Sequence, residues 1–353
     1  MRPVTAGPRS EERHGQYCRN QEELRSQRSP EDIIQKFAAL GSLFALVAVF
    51  SATSSAFFTV NNGMTIALQV TSIALLGIGA TCVIITGGID LSVGSVLALA
   101  GVVAALAVKE LGMPVPVGML LGILTGSLCG LINGLLVTRF KLPPFIATLG
   151  MMLIARGVAL QITGARAVSG LGESFGELGN GALFRIVTIG DDGFPNVVFP
   201  GIPYPVILMV VIALAVSFML NRSILGRHIY AVGSNAEAAR LSGVNVARVT
   251  NFTYILSGTL AGLTGCVLMS RLVTAQPNEG VMYELDAIAS AVIGGTSLIG
   301  GVGTISGTAI GAFVIGILRN GLNMNGVSAF TQQIIIGLVI LVTVWIDQLR
   351  NRR

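Results

Sequence analysis

Long apolar runs separated by short polar connections dominate the chain from residue 37 onward. They fall at residues 37–58, 64–86, 91–108, 115–137 and 146–163, and resume after a polar stretch at 205–220, 252–269, 287–299, 302–318 and 330–346. Most approach the ~20 residues that a helix needs to cross the hydrocarbon core. Backbone groups in lipid must bond within their own segment, so the pattern predicts helices rather than strands. The expected fold class is an all-α polytopic transmembrane helix bundle of about ten helices. The two shorter runs flanking Gly300 read either as half-helices or as one re-entrant hairpin.

Residues 1–36 form a polar tail with both signs of charge, residues 37–347 the membrane domain, and residues 348–353 a basic end. Only 11% of the 353 residues are charged, against ~25% in a soluble domain, which excludes most enzymes working in water. No catalytic residue is assigned. The net charge of +5 does not point to nucleic acid, because the cations cluster at the ends of apolar runs. With an even number of spans, 16 of the 22 Lys and Arg residues fall on one side, that of both termini. The positive-inside rule makes that side cytoplasmic. Cys18, Cys82, Cys129, Cys266, His14 and His228 are too scattered to hold a metal.

Gly118, Gly122, Gly126, Gly130 and Gly134 recur every fourth residue, a bare stripe that lets a neighbouring helix approach closely. Static packing is favoured over a sliding surface. The polar loop 221–251, on the cytoplasmic side, contains a compact helix signal over 236–241 (AEAARL). Ser234 or Asn235 can cap it, Glu237 suits its positive end, and Gly243 suits a left-handed stop. A helix so short gains stability by packing on something. It is read either as a connector or as a docking element for a partner protein. The stretch 164–204, on the opposite side, is long and carries several acids, a solvated surface or a steering field.

Four polar residues at or near membrane depth are candidate solute-pathway residues: Asp90, Ser92, Arg156 and Asn320. Asp90, in GGIDLSVGS (87–95), either caps the helix that follows, the favoured reading, or lines a polar passage. Arg156 sits within a span, where pairing with backbone carbonyls competes with solute contact. Asn320, with Asn133, Asn323, Asn325, Gln332 and Gln333, suits a neutral hydroxyl-rich solute, although bonds between helices are the commoner use of such amides. The glycine break GGTSLIGGVG (294–303) repeats the G-G-x-x-L-x-x-G spacing found at Gly87. Paired breaks of this kind mark solute sites in some transporters, and chance in a glycine-rich chain explains the echo about as well. No lysine follows a glycine, so the chain encodes no P-loop, and active transport requires energy from another chain or an ion gradient.

The series GGIDLSVGS (87–95), NGLLVTRFKLPPFIATLG (133–150), GRHIYAVGSNAEAARLSGVNV (226–246), YELDAIASAVIGGTSLIGG (283–301) and NGLNMNGV (320–327) resembles the membrane permease subunit of ribose-type ATP-binding-cassette (ABC) sugar importers. The N-terminal tail departs from the compact start of that family. The resemblance implies a bacterial inner-membrane homodimer of permease chains joined to a cytoplasmic ABC ATPase and a periplasmic sugar-binding protein. ATP and Mg would be held by the ATPase, with no cofactor on this chain. It also implies that Asn235, Ala236, Glu237, Ala238, Ala239, Arg240, Leu241 and Gly243 form the coupling segment seated in the ATPase. Importers of branched-chain amino acids or nucleosides share this plan and are the nearest rivals. An ion-coupled secondary carrier, for which Asp90 is the titratable candidate, is a further one.

Overall fold

The structure, a computed structural model, describes residues 30–189 and 195–351. Thirteen helices lie in the described residues: α1 (Pro30–Thr53), α2 (Val60–Ile85), α3 (Val93–Lys109), α4 (Val115–Thr138), α5 (Pro144–Thr163), α6 (Glu173–Asn180), α7 (Tyr204–Arg222), α8 (Ile224–Ser234), α9 (Ala236–Leu241), α10 (Val246–Leu272), α11 (Tyr283–Ile293), α12 (Ile305–Met324) and α13 (Ala329–Asn351). All except α6, α8 and α9 coincide with the ten apolar runs. Six of them, α2, α4, α5, α7, α10 and α12, are long and apolar enough to cross a membrane. The fold is an all-α, multi-pass helical bundle.

Several element boundaries fall outside the apolar runs. Helix α1 starts at Pro30, inside the segment expected to be a separate tail, at the one helical position that tolerates proline. Helix α10 starts at Val246, ahead of the apolar run at 252, because Asn245 accepts a hydrogen bond from the Arg248 N–H at 3.0 Å. Helix α13 carries on through the basic end to Asn351. The stretch 164–204 is partly ordered by α6 and by β1 (Ala182–Leu183), β2 (Ile186–Ile189), β3 (Pro195–Phe199) and β4 (Ile202–Pro203). These strands pair antiparallel, β1 with β4 and β2 with β3. Residues 1–29, with His14 and Cys18, lie outside the described residues, as do Asp191, Asp192, Arg352 and Arg353.

Helices α2 and α10 form the centre. From Val70 to Ile85 every residue of α2 is buried. The glycine stripe of α4 meets α10 as the spacing predicts. A methyl group on Gly130 would collide with the Tyr254 carbonyl oxygen, and one on Gly126 with that of Gly258. Only glycine on both helices allows this approach. Helix α3 closes the same group, with Leu97 and Ala100 fully buried.

Two chain breaks interrupt the bundle. Helix α2 ends where Gly87 takes φ +80°, with the Gly88 N–H on the Val83 carbonyl and the Gly87 N–H on that of Ile84. Helix α11 ends in the same way at Gly295, φ +93°, with the Thr296 and Gly295 N–H groups on Ala291 and Val292. Both are Schellman stops, which need a left-handed residue. The left-handed residue is the first glycine of one pair and the second of the other, so the sequence echo is out of register by one residue. Of the two arrangements open for the runs around Gly300, neither holds for both: α11, with 11 residues, is of half-helix length, whereas α12, with 20, is long enough to span, and a non-helical segment separates them.

Candidate functional site

Helices α8 and α9 connect α7 to α10. Ser223 caps α8 by accepting from the Gly226 N–H at 3.0 Å. The apolar residues Ile229 and Val232 bury one face of α8 against α2 and α7. This helix lies in a segment expected to be loop, and its signal was apolar residues at helical spacing, too few for a span. Of the two cap candidates for α9, Asn235 does the work, accepting from the Ala238 N–H at 2.9 Å. Gly243 provides the left-handed stop at φ +87°.

Helix α9 anchors through Ala239, its one buried residue, and exposes the rest. Glu237 and Arg240 pair within the helix at 2.6 Å, with side chains 66% and 67% exposed. Hydrogen bonding to Arg240, reinforced by its charge, holds the Glu237 carboxyl below the ordinary glutamate range. Leu241 is 78% exposed beside them. Ala236 and Ala238 complete the exposed surface.

Immediately before α9, α8 is welded to both breaks. Gly233 lies so close to the end of α2 that a methyl group there would collide with the Ile85 carbonyl oxygen. That oxygen accepts the Gly301 N–H at 2.8 Å. One turn earlier on α8, the Tyr230 hydroxyl donates to the Gly303 carbonyl at 2.7 Å. The last turn of α8 therefore touches the stop of α2 and the segment between α11 and α12 together. Tyr230 and Gly233 were not singled out in the sequence; their three-residue spacing puts them on one face of α8.

The four candidate pathway residues separate into three places. Asp90 and Ser92 belong to one buried network. Asp90, 2% exposed, accepts from the Ser92 N–H at 3.0 Å and the Ser92 hydroxyl at 2.6 Å on one oxygen. The Ser257 hydroxyl of α10 donates to the other at 2.8 Å. Asn133 of α4 donates to the Ser92 hydroxyl at 2.9 Å. Asp90 therefore does not cap the first turn of α3, whose N-cap is Ser92 without a side-chain cap. Its carboxylate makes an Asx turn on Ser92 and ties the break to α10. Arg156 of α5 donates to the Pro277 and Glu279 carbonyls of the segment between α10 and α11, pairing of the backbone kind weighed above.

Asn320 lies elsewhere, in a polar cavity of about 230 Å³ at the end of the bundle away from α9. Gln69 and Ser72 of α2, Arg271 of α10 and Tyr283 of α11 line it with Arg319, Asn320 and Asn323 of α12 and Gln332 of α13. Arg319 faces Asp286, its Nη2 2.9 and 2.8 Å from the two carboxylate oxygens. Asn323 and Gln332, flagged only as polar residues in or near spans, join Asn320 here. No cluster of three or more metal-ligating side chains occurs among the described residues.

The sequence model of a permease family, described as the permease component of a branched-chain amino acid transport system, matches residues 62–344. The chain belongs to this permease family. It is 44% identical over 310 residues to the ribose import permease protein RbsC of Escherichia coli strain K12, covering 88% of this chain and 92% of that protein. The same-named protein of Bacillus subtilis strain 168 is 41% identical over 321 residues, covering 91% of this chain and 95% of that one. The xylose transport system permease protein XylH of E. coli K12 is 35% identical over 367 residues, with 91% and 93% covered. No solved structure matches the chain significantly.

Proposed function

We propose that the chain is the membrane permease subunit of an ATP-driven, binding-protein-dependent importer that moves a monosaccharide, ribose or a related pentose, across the bacterial inner membrane. Helix α9 carries the reading. It is a capped helix with an exposed charge pair and an exposed leucine, and it directly follows α8, whose last turn touches both breaks. A cytoplasmic ABC ATPase, holding ATP and Mg, receives α9. Closure of the ATPase displaces α8 and α9, and Gly233 and Tyr230 pass the displacement to both breaks as a rigid-body change. The permease performs no covalent chemistry. A second copy of the chain completes the pathway, and a periplasmic sugar-binding protein delivers the solute to the opposite face. The cation distribution supports placing both termini and α9 in the cytoplasm.

Sugar is favoured over amino acid because the relatives matched over nine-tenths of their length are named as ribose and xylose permeases. The family description favours branched-chain amino acids as the second reading. Uptake by reconstituted vesicles of ribose, xylose and leucine, each with its binding protein, separates the two.

The docking role is tested by exchanging Glu237 for Arg and Arg240 for Glu in the same chain. The exchange keeps an internal pair while inverting the charge shown to the ATPase. Loss of transport and of transport-stimulated ATP hydrolysis is expected. Full coupling in the double variant removes the docking role from α9.

A further inference from the structure

The segment 273–282, between α10 and α11, is held in a conformation that its own residues disfavour. Val273 ends α10 in the left-handed region at φ 50°, and Met282 precedes α11 in the same region at φ 71°. Neither is glycine, and a β-branched residue is an outlier there. The buried Thr274 hydroxyl has no hydrogen-bond partner. The Gln276 N–H is given to the Met269 thioether at 3.4 Å, a weak acceptor. Such features persist only where the surroundings impose them.

Two clamps impose them here. Arg156 of α5 donates to the Pro277 carbonyl and, at 2.7 Å, to that of Glu279. Val168 and Ala275 exchange backbone hydrogen bonds of 2.8 and 2.9 Å across an isolated antiparallel bridge, and Ala275 is fully buried. Arg156 is the releasable clamp. The Glu279 and Glu284 carboxylates act on its guanidinium, so its charge keeps partners when the carbonyl bonds break.

The position of the segment gives this strain a use. Arg271 and Tyr283, within two residues of the strained ends, both line the polar cavity. Helix α10, 27 residues long, sets this end of the bundle ~40 Å from α9. Moving segments turn on a few residues at element termini that absorb large φ/ψ changes, and Val273 and Met282 stand at such termini.

We propose that 273–282 is a spring-loaded strap at the mouth of this cavity, latched shut by Arg156 and opening about Val273 and Met282 when the pathway faces away from α9. Relief of the left-handed residues and of the Thr274 hydroxyl drives opening, and the bonds from Arg156 and Val168 oppose it. The proposal rests on the importer reading and deepens it, naming the element that moves and the residue that holds it.

Vesicles containing the permease, its ATPase and its binding protein test the strap, with radiolabelled D-ribose and D-xylose as probes. Met282→Gly removes a left-handed strain and Thr274→Val the unpartnered hydroxyl, so each should raise the thermal unfolding temperature of the permease. Sugar uptake should nevertheless fall by about fivefold in each, the population shift equivalent to ~1 kcal/mol of relieved strain. Val281→Gly, at an exposed neighbour outside the left-handed region, should show neither the gain in stability nor the loss of uptake. In a Cys18→Ser background, Ala275→Cys should react with a charged maleimide about tenfold faster during ATP-driven uptake than at rest. Adding Arg156→Ala should bring the resting rate up to that level. Stabilised variants with full uptake, or variants with no gain in stability, overturn the strap and leave the importer reading standing. An equal labelling rate at rest and in turnover, or a resting rate unmoved in a folded Arg156→Ala protein, has the same meaning and does not depend on the strain-relieving variants. Uptake of neither sugar by the unaltered chain overturns the importer reading, and the role of the strap with it.

Discussion

Helices α7 and α10 are both long enough to cross a membrane, yet they occupy opposite environments. Helix α7 reads YPVILMVVIALAVSFMLNR and turns Val210, Val211, Leu214 and Phe218 outward. Helix α10 buries Thr253, Ser257, Gly258, Gly262, Thr264, Gly265 and Ser270. The greasier helix is at the periphery and the one rich in glycine and hydroxyls is inside. Lipid tails are as apolar as leucine, so no hydrophobic force draws α7 inward. Close backbone approach and hydrogen bonds between helices decide which surfaces meet. Helix α4 shows both behaviours at once. Its glycine stripe faces α10, while Leu120, Leu124, Leu128 and Ile132 are exposed, displaced by two residues and so on the opposite face.

The contrast is broken most directly at the seam. Gly130→Leu would force α4 off α10, and loss of the monodisperse protein from detergent extracts is expected, whereas Leu128→Ala, two residues away on the lipid side, should leave yield and thermal stability nearly unchanged. Equal damage from both would remove the distinction between the two faces.

The next largest effect is expected at Gly233. Gly233→Val should fold, because the clash is confined to one junction, and should still bind the ATPase through α9. Transport is expected to drop by about tenfold or more while ATP hydrolysis persists, since a misplacement of ~1 Å disrupts a coupled geometry. Normal transport by this variant would show that the contact with Ile85 transmits nothing.

Asp90 sharpens the comparison from within the buried side. Asp90→Ala strips the partner from the Ser92 N–H and the Ser257 hydroxyl, and each orphaned buried group destabilises by ~1–3 kcal/mol. Thermal unfolding should register this loss. Asp90→Asn keeps an acceptor of the same shape and should be milder. A severe transport defect in a normally folded Asp90→Asn protein would instead assign the residue to the solute pathway.

The smallest effect belongs to α9 at low pH. Because Arg240 holds the Glu237 carboxyl below the ordinary glutamate range, the pairing contributes fully above that range. It is lost as pH falls through the lowered value. ATPase binding should therefore be flat through neutral and mildly acidic pH and weaken only in strong acid; a loss of binding near neutral pH would mean that another group controls docking.

Much of this was legible before the fold was known. The ten apolar runs became helices, and α9 appeared over the residues marked by Asn235, Glu237 and Gly243, because capping is local chemistry. Helix α8 escaped notice since a half-buried helix of 11 residues carries no span-length signal. The candidate pathway residues were chosen as polar groups at depth, a criterion that does not say which of them face one another. Asp90 and Ser92 joined Asn133 and Ser257, Arg156 went to backbone carbonyls, and only Asn320 came to line a cavity.

The sequence by itself determined the elements: where helices start, where glycine stops them and which face of α4 is bare. Each follows from interactions within a few residues or from transfer between water and lipid. Tertiary structure alone decided that Gly233 would rest on Ile85, that Ser257 would find Asp90, and that Asn320 would be left with an unmatched oxygen. Those outcomes depend on how rigid helices cross, and partners distant in sequence meet only once the whole bundle has closed.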